Sequence, residues 1–371
     1  MTPTVNNWWL SLQHDWYDGF TNNEKAWVSA HRLDTATSHS YLNPSGPTDS
    51  VFTSNLISKR ALEVMHKDSG TTTRFTAPVS SYSVTPKHNP VSLDLTSSSA
   101  LGAVSDGKDI LVFEGQTGTV RRTLSGHVAE VDTVKFFPSD KVLLTGGSDM
   151  QIKIWSVEDG SCPVTLSGHK RGVTCLGIID RGKEVVSGSR DGTIKVWICG
   201  TQECTSTFSL HCGTINNIHI LDLPESISTD RLIMSATETG MLSLHNIGDN
   251  TLASQYQHSS ELTSCTPYTG NLLVAGSITG EIITLDVRNF SKPTSIHKRS
   301  NYAVSSLSYD GNRLWCGQKD GECYSIVPDT TSLVCDSTLS GGDCEAIFSV
   351  VARGGVVSTA ARDRKVRRYE V

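Results

Sequence analysis

The residues that invite a catalytic reading are His127, His169, Ser187 and Asp191. These are the types of a Ser-His-Asp triad, in which an imidazole takes the serine proton, a carboxylate orients the imidazole and backbone N–H groups hold the oxyanion. That chemistry needs one serine exposed beside an oxyanion hole. Here the set recurs: Ser125-Gly126-His127 returns as Ser167-Gly168-His169, 42 residues on, and more weakly as Ser209-Leu210-His211. Recurrence at a fixed period marks a repeated structural unit, so these residues read as scaffold.

Other chemistries find no better footing. There is no Gly-rich phosphate loop ending in Lys-Ser or Lys-Thr, and no dinucleotide-binding glycine fingerprint between a strand and a helix. Asp343 and Glu345 are paired carboxylates, but they fall on a predicted loop with nothing to bury them together. The ten cysteines are scattered without a Cys-x-x-Cys pair, and Cys175, Cys316 and Cys323 sit in strand-like apolar runs. Reduced, buried thiols are expected, with no structural zinc. The sequence therefore predicts a protein that is not an enzyme, with no catalytic residue and no cofactor.

The elements that position these residues are strands. Leu144, Val186, Met234, Val274, Trp315 and Val357 end apolar runs at intervals of 42, 48, 40, 41 and 42 residues, and Ser92 to Gly126 supplies a further unit. One period holds four short strands, as in Val173 to Ile179, Glu184 to Ser187, Thr193 to Trp197 and Cys204 to Phe208, with turns at Asp180 to Lys183 and Arg190 to Gly192. Ile194 and Val196 alternate with polar residues, the period of a strand and not of a helix. A four-stranded sheet cannot hide both faces alone, whereas seven set radially cover one another.

The Gly-His start, the Ser187 to Gly192 turn and Trp197 six residues after Asp191 together resemble the WD40 repeat, and Asp149 and Trp155 repeat that interval. The match weakens later, where Leu285, Ile326 and Tyr369 stand in place of Trp and Thr239 and Thr279 in place of the turn Asp. The resemblance implies an all-β, seven-bladed propeller. It also implies a hydrogen-bond network pinning each blade: His127, Thr145, Asp149 and Trp155 in one, His169, Ser187, Asp191 and Trp197 in the next.

The last unit ends at Val371 after three strands. Its fourth is expected from the N-terminal side, within residues 71–79. Residues 67–371 then make the propeller, and residues 1–66 a separate small α+β module rich in tryptophan: Trp8, Trp9, Trp16 and Trp27. That module reads as a cap on the propeller or as a docking element for another chain.

Net charge is −6 with a pI near 6.0, so no global field favours nucleic acid. Met1 to Leu10 lacks the pattern of a secretion signal, and no run of 18 apolar residues occurs, so no membrane partner is expected and the compartment reads as cytoplasmic or nuclear.

Beyond the generic repeat, the stretches Arg122 to Ser139, Ile154 to Cys162, Leu273 to Gly276, Gly342 to Glu345 and Arg362 to Tyr369 closely resemble the proteasomal ATPase-associated factor family. That resemblance implies a chaperone or regulator of proteasome regulatory-particle assembly that binds the C-terminal domain of an ATPase subunit and is a monomer when free. The expected partner surface is an acidic patch of Glu130, Asp132, Asp343 and Glu345, with Arg190 and Arg362 nearby. The alternative is a WD40 scaffold or a substrate receptor of a ubiquitin ligase or other complex.

Overall fold

The computed structural model describes residues 8–32, 36–44, 46–47, 51–85, 87–210, 213–221, 231–327, 334–342 and 345–371. Among the described residues from Leu93 onward, consecutive strands pair antiparallel into seven sheets in sequence order. The third runs Val173–Ile179, Glu184–Ser189, Thr193–Ile198 and Glu203–Ser209 from inside to outside. The innermost strand of each sheet touches the innermost strand of the next, and the seventh touches the first, so the sheets close into a propeller around a central channel.

Each hydrophobic core of the propeller itself lies between two blades and not within one. Leu144, Ile152, Ile154 and Leu166 of the second blade pack against Val173, Leu176, Val185 and Trp197 of the third. Burying such a side chain stabilises by about 1.5–3 kcal/mol, which makes neighbouring blades interdependent. Close approach needs small residues on the second strand of each blade. A Cβ on Gly146 would stand 2.7 Å from Val173 Cγ1, and one on Gly276 would stand 2.4 Å from Val304 Cγ1.

The inner edge of every first strand faces the channel with unpaired backbone groups. Side chains of the preceding blade satisfy several of them. Ser92 Oγ accepts from Val134 N at 3.1 Å, Asp94 Oδ2 from Phe136 N at 2.7 Å and Ser308 Oγ from Ala352 N at 3.0 Å. Ser349 Oγ accepts from Leu93 N at 3.3 Å, carrying the pattern across the junction of the last blade with the first.

The closing strand differs from the expectation. Thr71–Thr76 does not complete the seventh blade: it pairs in parallel with Val334–Leu339, the outer strand of the sixth, with Arg74 opposite Ser337. The seventh blade takes Ser80–Tyr82, antiparallel to Val366–Glu370. Pro78 separates the two segments; lacking an N–H, it cannot extend a ladder, and the chain changes sheets there.

The boundary at residue 66 is corrected by the same geometry. Phe52–Ser58, Ala61–His66 and Thr71–Thr76 form antiparallel hairpins that extend the sixth blade to seven strands. Outside them lie the four-stranded sheet of Trp8–Leu12, Ala26–Arg32, Ser38–Asn43 and Gly46–Pro47 and the helix Trp16–Thr21. Leu10, Trp16, Val28, Leu42, Phe52, Leu62 and Phe75 share one core, so the separate N-terminal sheet and helix pack on the hairpin strands, which are continuous with the sixth blade.

Candidate functional site

The residues that resemble a triad are locked inside the blades. In the third blade His169 Nδ1–H faces Asp191 Oδ2 at 3.0 Å and His169 Nε2 faces Ser187 Oγ at 2.7 Å. Trp197 Nε1–H donates to the same hydroxyl at 2.8 Å. The second blade repeats this with His127, Asp149, Thr145 and Trp155, every contact at 2.8 Å. With the imidazole N–H on the Asp, the hydroxyl donates to Nε2 and accepts from the indole, so one chain of donors runs from Trp to Asp.

Ser187 is fully buried and its oxygen is engaged on both sides, so it cannot meet a substrate. Burial lowers the pKa values of His127 and His169 despite their carboxylates, which keeps both rings neutral. Burial alone would raise Asp191, but hydrogen bonds from Thr193, Lys170 N and His169 outweigh it and hold the carboxyl at about 2. The other blades improvise where the consensus residues are missing. His258 meets Glu281 at 3.0 Å in the fifth, and Tyr369, at the Trp position of the seventh, donates to Ser340 O at 2.9 Å.

The surface these locks stabilise consists of the loops entering the inner strands and the turns between second and third strands. One backbone hydrogen bond recurs there: Ser148 N to Glu130 O, Arg190 N to Gly172 O, Glu238 N to Thr214 O, Ile278 N to Glu261 O, Lys319 N to Ala303 O and Arg362 N to Ala346 O, all 2.8–3.0 Å. The donating position carries Ser, Arg, Glu, Ile, Lys and Arg in turn, so one rigid frame presents a changing set of side chains across these six blades.

The predicted partner residues divide on this face. Glu130 and Arg362 are exposed, and Glu345 is half-buried beside the turn that carries Arg362. Asp343 lies outside the described residues. Asp132 is engaged, with Arg190 beside it: its carboxylate accepts from Ser148 Oγ at 2.8 Å and pairs with Arg190 at 3.1 Å, linking the second and third blades. Burial pushes its pKa up, with Ser148 and Arg190 opposing. Its neighbour Arg190 is correspondingly half engaged.

Sequence reading missed the apolar members of this face. Val128 is 84% exposed and Tyr302 58% exposed, on loops entering the second and sixth blades. The available signal was position: Val128 follows the Gly-His pair where the third blade has Lys170, so an apolar residue occupies a loop tip. Among the described residues no group of three His, Cys, Asp or Glu side chains is arranged to hold a metal, and no helix is long and apolar enough to cross a membrane.

Comparison with known proteins decides the family. The WD domain, G-beta repeat model matches residues 118–156 and 160–197, the blades with complete locks. Over 98% of both chains this protein is 33% identical to human (Homo sapiens) proteasomal ATPase-associated factor 1, with the same identity and coverage against the Bos taurus protein. The chain belongs to the proteasomal ATPase-associated factor family. A shorter match, 43% identical over 51 residues, covers 14% of this chain and 12% of the 26S proteasome regulatory subunit RPN14 of Saccharomyces cerevisiae. Membership in the proteasomal ATPase-associated factor family thus includes the N-terminal sheets as well as the repeats, because the alignment spans both.

Proposed function

We propose that this chain is an assembly chaperone or regulator of the proteasome regulatory particle, which binds the C-terminal domain of an ATPase subunit through the propeller face described above. The observation that carries this reading is the end-to-end similarity to a factor named for the proteasomal ATPase. The geometry supports a binding role: histidine, serine and aspartate are consumed in locks, while loop tips on a rigid frame vary from blade to blade. Such a face offers room for a standard interface of about 800 Å² per partner. The protein acts without catalysis, as a monomer before it meets its partner, in the cytoplasm and nucleus.

Affinity purification of the tagged full chain from lysate, followed by native gels with recombinant ATPase subunits, tests this. Recovery of free ATPase subunits and a gel shift with at least one of them is the expected result. Recovery of a cullin complex with no ATPase subunit would replace this reading by that of a ubiquitin-ligase receptor.

A further inference from the structure

The central channel encloses about 520 Å³, within the range of small-molecule sites, about 300–1,000 Å³. Its wall is unusually polar for such a volume. By strand register Asp94, Lys135, His219, Thr266 and Ser308 occupy the same depth on five different blades. All five line the channel.

Asp94 and Lys135 balance in number within this tier, but they are not paired with each other. Asp94 is committed twice, accepting from Phe136 N at 2.7 Å and pairing with Arg353 at 3.1 Å. Lys135 sits near both but has no carboxylate within ion-pair distance and no hydrogen-bond partner among the described residues. With Arg353 included, two cations meet one carboxylate at this point of the wall. Lys135 is only partly buried, so its ammonium is open to the channel and available to a ligand there.

The groups around it complete a receptor for an anion. Ser308 Oγ accepts from Ala352 N, which leaves its O–H to donate into the channel. His219 Nδ1–H donates to Ile220 O at 3.0 Å, which leaves Nε2 as an acceptor. Burial lowers the Lys135 ammonium and holds His219 at about 4, so the ring is neutral at physiological pH and suits the hydroxyl of a ligand.

We propose that the central channel is a binding site for a small oxyanion, a phosphate or a phosphorylated metabolite, with Lys135 as its counter-charge, Ser308 as a neutral donor and His219 as an acceptor. Toward the face of the recurring turns the channel is lined by Asp132, Glu261 and Lys319, and Arg353 and Tyr309 also line it.

The test is calorimetry on the full chain at fixed ionic strength, with inorganic phosphate in one arm and glycerol 3-phosphate in the other. Saturable binding with Kd below about 1 mM is expected in at least one arm; tighter binding of the ester points to a metabolite, of inorganic phosphate to the free ion. Lys135→Met should weaken binding at least tenfold and Lys135→Arg should keep it, with both variants melting near the wild type. Wild-type crystals soaked in sodium tungstate give a readout independent of any variant: an anomalous peak beside Lys135 is expected. No heat in either arm, wild-type affinity in Lys135→Met, or tungstate bound only elsewhere would overturn the proposal and leave Lys135 as a distant counter-charge for Asp94.

Discussion

Trp16 Nε1–H donates to Ser340 Oγ at 2.8 Å, across 324 residues of sequence. Ser340 is a junction: its N–H donates to Thr76 O at 2.9 Å, and its carbonyl accepts from Tyr369 at 2.9 Å. The first helix, the strand that extends the sixth blade and the last strand of the chain all meet at one residue. Ser340→Ala should cost about 1–3 kcal/mol, because a buried indole N–H loses its partner, and Trp16→Ala about 3–5 kcal/mol. Denaturant unfolding followed separately by N-terminal tryptophan fluorescence and by circular dichroism should give coincident transitions. A separate, earlier transition for the N-terminal region would contradict the shared core.

The lock of the third blade predicts a coupling. Ser187→Ala leaves the Trp197 N–H and His169 Nε2 buried without their common partner, at a cost of about 2–4 kcal/mol. Trp197→Phe removes one of those orphans, so the double variant should be more stable than the sum of the single losses predicts. Equilibrium unfolding of the four proteins in a double-mutant cycle measures the difference; strict additivity would show that the contacts are independent.

Buried histidines set the acid limit of stability. His219, His245 and His297 are held at about 4 by burial, below the ordinary 6.5. A lowered histidine binds its proton less well folded than unfolded, so its contribution is complete above about pH 6.5 and is lost as pH falls toward 4. Asp191, held at about 2, adds a loss only below about pH 4. Guanidinium unfolding at pH 7.5, 6 and 5 should show stability falling by on the order of 1 kcal/mol per pH unit per histidine. Equal stability at pH 7.5 and 5 would contradict this.

The outer strand of the seventh blade, Ser80–Tyr82, comes from the N-terminal side. Deleting Ser80–Tyr82 leaves Val366–Glu370 as an open edge and removes the Tyr82 hydroxyl from Gly115 O, which it reaches at 2.6 Å. The melting temperature should drop by several degrees or more, and the amides of residues 366–370 should lose protection in hydrogen exchange. Unchanged protection there would place the closure elsewhere.

Much of this was legible from spacing. His127, Asp149 and Trp155 recur at fixed offsets because each blade repeats one lock, and their burial follows from it. The closing strand was not legible: Thr73 and Phe75 alternate with polar neighbours as any strand does, and alternation does not reveal whether the partner is the sixth blade or the seventh. Sequence places Asp132 in an acidic patch with Arg190 nearby, but that the two form an ion pair across neighbouring blades is a geometry only the radial packing creates. Lys135 went unnoticed because one lysine in a strand gives no sign that six other strands surround it.

The most direct test of the account is calorimetry of wild-type protein against recombinant proteasome ATPase C-terminal domains, repeated with a Glu130→Lys, Glu345→Lys double variant. Binding to at least one ATPase domain, weakened tenfold or more by the double variant with its melting temperature kept, is the predicted result. No binding to any ATPase domain, or wild-type affinity in the double variant, would contradict the assignment of this propeller face as the ATPase-binding surface.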